Sequence, residues 1–336
     1  MIARVYQRLK RSFPMNGGGN LILMYHRVDD PPADPWGLCV SPGRFAEQME
    51  VLRRQWAVCR LAAIQEKRQR VAVTFDDGYA DNLYEAKSVL ERYEIPATIF
   101  IVGGEETAGV FWWDELEDLL LYPTQLPARP LVLRIDGQEY RWSIDADDWE
   151  LNDADPRKFR DWIAWKDDPP TSRHAVFRAV WEVLQRLGGE ERSSQLNEIQ
   201  CWTGTAHQRT RARRMDGDEL RRITDNGLIE LGAHTMNHPK LSTLSPREQA
   251  REILGSRQFL KEILGRQPSE FSYPFGGAAD YTAATIEAVR EAGFERACCT
   301  TGGAVKVHTD PFQLPRAHVE NWGGEEFSRW LQEQLH

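Results

Sequence analysis

Residues 71–79 read Val71-Ala72-Val73-Thr74-Phe75-Asp76-Asp77-Gly78-Tyr79, and the fold class turns on them. Val71 to Phe75 is a short apolar run, rich in β-branched residues, cut off by an Asp-Asp-Gly turn; this is the pattern of a buried strand. Leu83, Ala86, Val89, Leu90 and Tyr93 follow at helical spacing, and Ala97 to Val102 is a second buried run. Upstream, Leu21 to Tyr25 is another, followed by a helix start at Ser41-Pro42, with Ser as N-cap and Pro in the first helical position. Phe45, Met49 and Leu52 continue that helix. Strand, helix, strand, helix implies a mostly parallel sheet or barrel with helices outside.

The rhythm stops after Gly103-Gly104 and resumes at Asp216. From there a helix ends at Gly227, then come a strand at Ile229 to Ala233, a helix from Pro246 to Leu264 and a strand at Phe271 to Phe275. A helix from Tyr281 ends at Gly293. Strands at Arg296 to Thr300 and Phe312 to Val319 and a terminal helix from Glu325 to Leu335 complete the chain. Seven core strands result. Residues 105–215 read differently: an acidic amphipathic helix from Trp112 to Leu121, a hairpin around Asp136-Gly137, and helices over Ser172 to Leu187 and Glu191 to Trp202. This mixed α+β insertion carries eight tryptophans. Aromatic faces bind sugar rings, but so many large side chains in one segment more often make its own core. Both junctions lie next to motif-bearing strands, so the insertion is expected to act as a lid. The domain division expected is a lead-in over 1–20, a barrel over 21–104 and 216–336, and the insertion over 105–215.

Bulk properties exclude several functions. The 336 residues carry a net charge of −9, which does not suit nucleic acid, because phosphate recognition leaves a basic footprint. The five cysteines are odd in number and contain no CxxC, against a disulfide framework or a thiolate zinc site. No apolar run approaches the roughly 18 residues of a transmembrane helix. The first residues show no signal-peptide pattern, so a cytoplasmic location is expected. Val5, Leu9 and Phe13, flanked by Arg4, Arg8, Lys10 and Arg11, also suit a peripheral membrane contact.

Four stretches carry chemistry. Asp76 and Asp77 stand at the C-terminal end of a strand, where α/β barrels place their active sites. Successive strand residues point to opposite faces, so both can serve one site only if the backbone turns there, and Gly78 permits it. His234-Thr235-Met236-Asn237-His238 follows another strand; two histidines at i and i+4 on a helical turn can grip one metal ion. Phe271-Ser272-Tyr273-Pro274-Phe275-Gly276-Gly277 is a tight strand-end loop. In Leu314-Pro315-Arg316-Ala317-His318-Val319, Leu314, Arg316 and His318 share one face of an extended segment.

Taken in order, TFDDGY, HTMNH, SYPFGG and LPRAHV resemble the polysaccharide deacetylases of carbohydrate esterase family 4. Met24-Tyr25-His26-Arg27-Val28 and the Ser-Pro-x-x-Phe helix start are similar to the branch that acts on extracellular and surface amino-sugar glycans, poly-N-acetylglucosamine among them. The resemblance covers residues 21–104 and 216–320. It implies a distorted (β/α)7-type barrel and a divalent metal, most often Zn2+. It further implies Asp77, His234 and His238 as ligands, Asp76 as general base, His318 as general acid, and Tyr273, Phe275 and Gly276 around the substrate and its oxyanion. The family's third motif carries an arginine where this chain has Ser272; Arg316 is expected to take its role, within salt-bridge reach of Asp76. The family's Asp-Trp motif is not recognisable.

The implied activity is hydrolysis of N-acetyl groups on an amino-sugar oligosaccharide, polysaccharide, or lipid-linked or nucleotide-linked precursor. The alternatives are a hydrolase of another C–N amide or of an O-acetyl ester on the same scaffold, and an inactive glycan-binding protein. Intact Asp76, Asp77, His234 and His238 oppose the last.

Overall fold

The computed structural model describes residues 19–66, 69–104, 109–150, 157–205 and 212–335. The apolar stripe Val5, Leu9 and Phe13 lies outside them. The described residues form two compact units, one built from residues up to 30, 38–104 and 214 onward, the other from 31–37 and 109–213.

In chain order the strands are β1 (Leu21–Tyr25), β2 (Ala57–Val58), β3 (Arg70–Phe75), β4 (Ala97–Ile101), β5 (Leu131–Ile135), β6 (Gln138–Trp142), β7 (Ile229–Ala233), β8 (Glu270–Ser272), β9 (Arg296–Cys299), β10 (Leu314–Pro315) and β11 (Ala317–His318). In the first unit every pairing between these strands is parallel, in the order β10-β9-β8-β7-β4-β3-β1-β11, with β2 beside β3. Only Arg316 separates β10 from β11, so they are two halves of one strand. The first half pairs with β9 (Leu314 with Cys298) and the second with β1 (Ala317 with Leu23). The last strand thus closes a ring of seven strand positions, the expected (β/α)7 barrel, and Arg316 stands where it changes partner.

The period of two along each strand sorts the core. Leu21, Leu23 and Tyr25, Val71, Val73 and Phe75, and Ile99 and Ile101 belong to the large cluster shared with the helices. Their neighbours Ile22, Ala72 and Phe100 join Cys298 and Leu314 in a separate cluster inside the barrel. Helices follow the sequence signals closely: Pro42–Gln55, Pro246–Leu264 and Gly324–Leu335 cover the expected spans. Ser245 and Glu248 form a capping box, and Gly265 ends that helix in the left-handed region, at φ 69°. Ser41 sits at its expected N-cap position, but its hydroxyl donates to Asn321 Oδ1 at 3.2 Å rather than capping the helix.

Gly232 on β7 makes room for a barrel-filling ring. A Cβ there would lie 2.6 Å from the Phe100 ring and 3.0 Å from the Glu270 carbonyl oxygen. Gly232→Ala is therefore expected to destabilise the fold by about 1–3 kcal/mol, the usual cost of overpacking. Denaturant unfolding checks this; an unchanged midpoint would show that Phe100 can yield.

The second unit holds the helices Trp112–Leu120, Ser172–Leu184 and Gly189–Thr203 and the antiparallel hairpin β5–β6. Asp136 and Gly137, both at positive φ (50° and 76°), make the tight hairpin turn their sequence signals. Trp113, Trp162, Trp181 and Trp202 are buried, and Trp36 lies 4.6 Å from Trp181, centroid to centroid. Trp202 Nε1 donates to the Arg129 carbonyl at 3.1 Å. These tryptophans build the unit's own core.

Candidate active site

The inward-facing rows of several strands converge at the C-terminal mouth of the barrel. On β3 the row runs Ala72, Thr74, Asp76; on β7, Gly232, His234; on β8, Glu270, Ser272; on the last strand, Leu314, Arg316, His318. The strand that carries Asp76 outward ends there, and Asp76 N–H still donates to the Tyr25 carbonyl at 3.0 Å.

Arg316 is fully buried and grips Asp76 with both ends of its fork: Nη1 to Oδ1 at 2.7 Å and Nη2 to Oδ2 at 2.6 Å. Its Nη2 also donates to Ser272 Oγ at 2.7 Å, its Nη1 to Thr74 Oγ1 at 3.3 Å, and its Nε to the Cys299 carbonyl at 3.4 Å. The small side chain of Ser272 leaves the volume this guanidinium occupies, and Arg316 lies within salt-bridge reach of Asp76 as expected. Burial alone would raise the Asp76 pKa. Arg316, with help from His234, outweighs it and holds the carboxyl well below its ordinary range.

Arg316→Ala leaves a buried carboxylate without its partner, and a loss of about 3–5 kcal/mol of stability is expected. The pH dependence follows from the sign of the shift. A depressed carboxyl stabilises the fold above its unfolded pKa, about 4, and loses that contribution as pH falls through the folded value. Without Arg316, burial raises the Asp76 pKa, so the ionised variant is the strained one. The gap in melting temperature between parent and variant should therefore be wide near neutral pH and narrow in acid. A gap independent of pH would show that Arg316 acts through packing alone.

Asp77, His234 and His238 offer one ligand atom each, all within 4.8 Å of one another. Asp77 Oδ1 lies 3.7 Å from His234 Nε2 and 3.5 Å from His238 Nε2. His234 Nδ1 lies 2.7 Å from the Ser272 carbonyl oxygen. A carbonyl can only accept, so Nδ1 carries the proton and Nε2 keeps its lone pair, turned toward Asp77. Burial lowers the pKa of both imidazoles, His238 well below the ordinary value, which keeps them neutral and able to ligate. One carboxylate oxygen and two imidazole nitrogens at this spacing fit a divalent ion.

Left-handed backbone, costly for residues with a side chain, gathers at this mouth. Asp77 (φ 73°), Thr235 (φ 66°), His238 (φ 54°) and Phe275 (φ 61°) all adopt it, at about 1–3 kcal/mol each, a pattern typical of functional sites. The Asp pair turns at Asp77 itself: Gly78 N–H donates back to the Asp76 carbonyl at 2.9 Å, a three-residue γ-turn. Phe275 makes the same turn, Gly276 N–H to Pro274 carbonyl at 2.7 Å. His234 and His238 are not on a helical turn. They come together, ring centroids 4.9 Å apart, through an irregular loop with two left-handed residues. The i and i+4 spacing selects two histidines that do meet, but the helical turn expected between them is absent.

The loop over 273–276 divides its expected roles. Tyr273 is turned outward into the core, its hydroxyl donating to the Phe312 carbonyl at 3.0 Å and its ring stacked 4.1 Å from Tyr281, so its side chain is remote from a substrate role. Its N–H is taken by the Cys298 carbonyl at 3.1 Å, and that of Gly276 by Pro274. Phe275 stands beside the Asp77, His234 and His238 cluster, its ring 4.9 Å from that of His238.

His318 lies on β11 with its ring 6.0 Å from that of His26. His26 was absent from the residues assigned a role by sequence. Burial lowers its pKa to about 3, and Asp76, His318, Arg316 and His234 are its electrostatic neighbours, which places it in the same mouth. The signal was available: His26 continues the inward row of Ile22 and Met24 past the end of β1. Asn82 Nδ2 donates to the His26 carbonyl at 2.9 Å, and Asp81 accepts from Val28 N–H at 3.0 Å and Arg27 Nε at 3.0 Å. The turn after the Asp pair therefore clamps the His26 loop.

The sequence profile of polysaccharide deacetylases matches residues 63–123 and 195–297. The YxkH protein of Bacillus subtilis (strain 168) is 24% identical over 116 residues, 34% of this chain; the match spans 40% of that relative's length. Streptococcus pyogenes deacetylase PplD, solved in complex with acetate, is similar at a TM-score of 0.56 and 15% identity, over 96% of this chain and 100% of that one. IcaB from Ammonifex degensii gives 0.53 at 18%, over 94% and 98% of the two chains. A de-N-acetylase from Aggregatibacter actinomycetemcomitans gives 0.52 at 14%, over 93% and 99%. The resemblance to polysaccharide deacetylases is borne out by the profile, and the barrel by the three structures.

Proposed function

We propose, for a chain whose profile and fold are those of polysaccharide deacetylases, that it hydrolyses the N-acetyl group of an amino sugar in a glycan or glycan precursor. The observation that carries this reading is the division of labour between adjacent carboxylates. Asp76 is held by both oxygens on Arg316, while Asp77 faces two neutral imidazoles. Asp77, His234 and His238 would hold the divalent ion, and the one-oxygen, two-nitrogen donor set suits Zn2+. Once bound, that ion supplies Lewis-acid polarisation of the acyl oxygen and acidifies the attacking water.

The remaining work falls to the chain's own groups. Asp76, ionised across the working pH range, takes the proton of the attacking water. The Phe275 N–H, displayed by its γ-turn, donates to the developing oxyanion. His318 delivers a proton to the departing sugar nitrogen, with His26 beside it. Water adds to the acyl carbon, the C–N bond breaks, and acetate and a free amine result.

Acetate release from N-acetylated oligosaccharides, lipid-linked and nucleotide-linked N-acetylhexosamines, O-acetyl sugars and cyclic amides tests this, each with and without a chelator. Chelator-sensitive acetate from the N-acetyl substrates is expected. Turnover confined to O-acetyl esters or cyclic amides would replace the substrate assignment. Turnover that survives full chelation would overturn the metal reading.

No helix among the described residues is long and apolar enough to cross a membrane.

A further inference from the structure

We infer that Glu252, on the helix Pro246–Leu264, is a positioning residue that presets the spacing of His234 and His238 for the ion; this rests on the metal reading above. One carboxylate oxygen, Oε2, accepts from the N–H groups of both Met236 and Asn237, each at 2.9 Å, and Oε1 accepts from Asn237 Nδ2 at 2.7 Å. Successive N–H groups beside a left-handed residue form a concave nest that favours an anion. Here the anion is Glu252, and the residues it holds lie between the two histidines.

The rest of the loop is fastened at its flanks. His234 N–H donates to the Ile101 carbonyl at 2.9 Å and Gly103 N–H to the Thr235 carbonyl at 2.9 Å. Thr235 Oγ1 accepts from His238 N–H at 3.1 Å. Gly104 lets the loop approach, since a Cβ there would meet the Met236 carbonyl oxygen at 2.6 Å. Glu252 alone among these supports the middle of the loop through a charge. Thr235 and His238 both hold unfavourable φ, so a loop freed at its middle relaxes away from the geometry that brings the two rings together. Groups that orient metal ligands affect affinity by about 10- to 100-fold when removed.

The test is Zn2+ affinity, by titration calorimetry on the full chain, for the parent, Glu252→Gln and Glu252→Ala, with thermal unfolding of each metal-free protein. Glu252→Ala should weaken Zn2+ about 10- to 100-fold with little change in metal-free melting temperature. Glu252→Gln retains one acceptor oxygen and should fall between. Turnover of both variants should recover at saturating Zn2+, which a generally damaged fold would not do. A folded Glu252→Ala with parental affinity overturns the inference and leaves the metal reading intact. If that variant does not fold, parental affinity in Glu252→Gln together with parental amide protection at Met236 and Asn237 overturns it. A parent chain that takes up no ion overturns the metal reading itself.

Discussion

His238→Ala is expected to remove the ion and the turnover together. In the proposed site His238 would contribute one of three donors, and two remaining donors hold a divalent ion far more weakly than three in a preorganised set. Its ring also packs against Phe275, but that contact is apolar and its loss does not explain a missing ion. Metal content after gel filtration, measured beside turnover, is the check. A variant with its full complement of metal would place the third ligand elsewhere.

Asp76→Asn is expected to behave in the opposite way, keeping the ion and losing about 10²- to 10⁴-fold in turnover, as removal of a general base does. That range corresponds to about 2.7–5.5 kcal/mol of barrier. Asparagine is nearly isosteric, can accept only one of the two hydrogen bonds from Arg316, and cannot take a proton from water. The 4.0 Å between Asp76 Oδ2 and His234 Nε2 keeps this carboxylate close to the proposed ligands, while its two bonds to Arg316 commit it elsewhere. Near-parental turnover in Asp76→Asn would move the base to another group. Loss of the ion in this variant would make Asp76 a ligand and dissolve the distinction between the two aspartates.

Arg316 shows how far linear reading reaches. A missing arginine at Ser272 and a spare one on the last strand were both visible, and strand alternation put Arg316 on the face of His318. The bidentate grip on Asp76 follows because β10 and β11 are one strand that changes partner at Arg316 and closes the barrel, with only β1 between it and the strand leading to Asp76 and only β9 between it and the strand of Ser272. His26 is the contrary case. It lies in a quoted motif and continues the inward row of β1, yet nothing in the linear order ties it to Asp76 or His318, which reach it from other strands. Tyr273 shows motif position misleading: it follows Ser272 just past the end of β8, and its side chain packs into the core shared with the helices.

Features that depend on local order can be read along the chain. Periodicities of two and of 3.6, and the Gly, Pro and capping residues between them, set the strands, the helices and the parallel architecture. Residue chemistry at strand ends singled out Asp76, Asp77, His234 and His238. Which groups meet in space is set by the folded barrel. The Arg316–Asp76 pair spans 240 residues, and the Glu252 carboxylate reaches the His234–His238 loop from the helix Pro246–Leu264. The fold also sets the left-handed backbone at Asp77, Thr235, His238 and Phe275. Such conformations are unfavourable for these residues in isolation, and they persist only where hydrogen bonds and packing from distant segments outweigh the local preference.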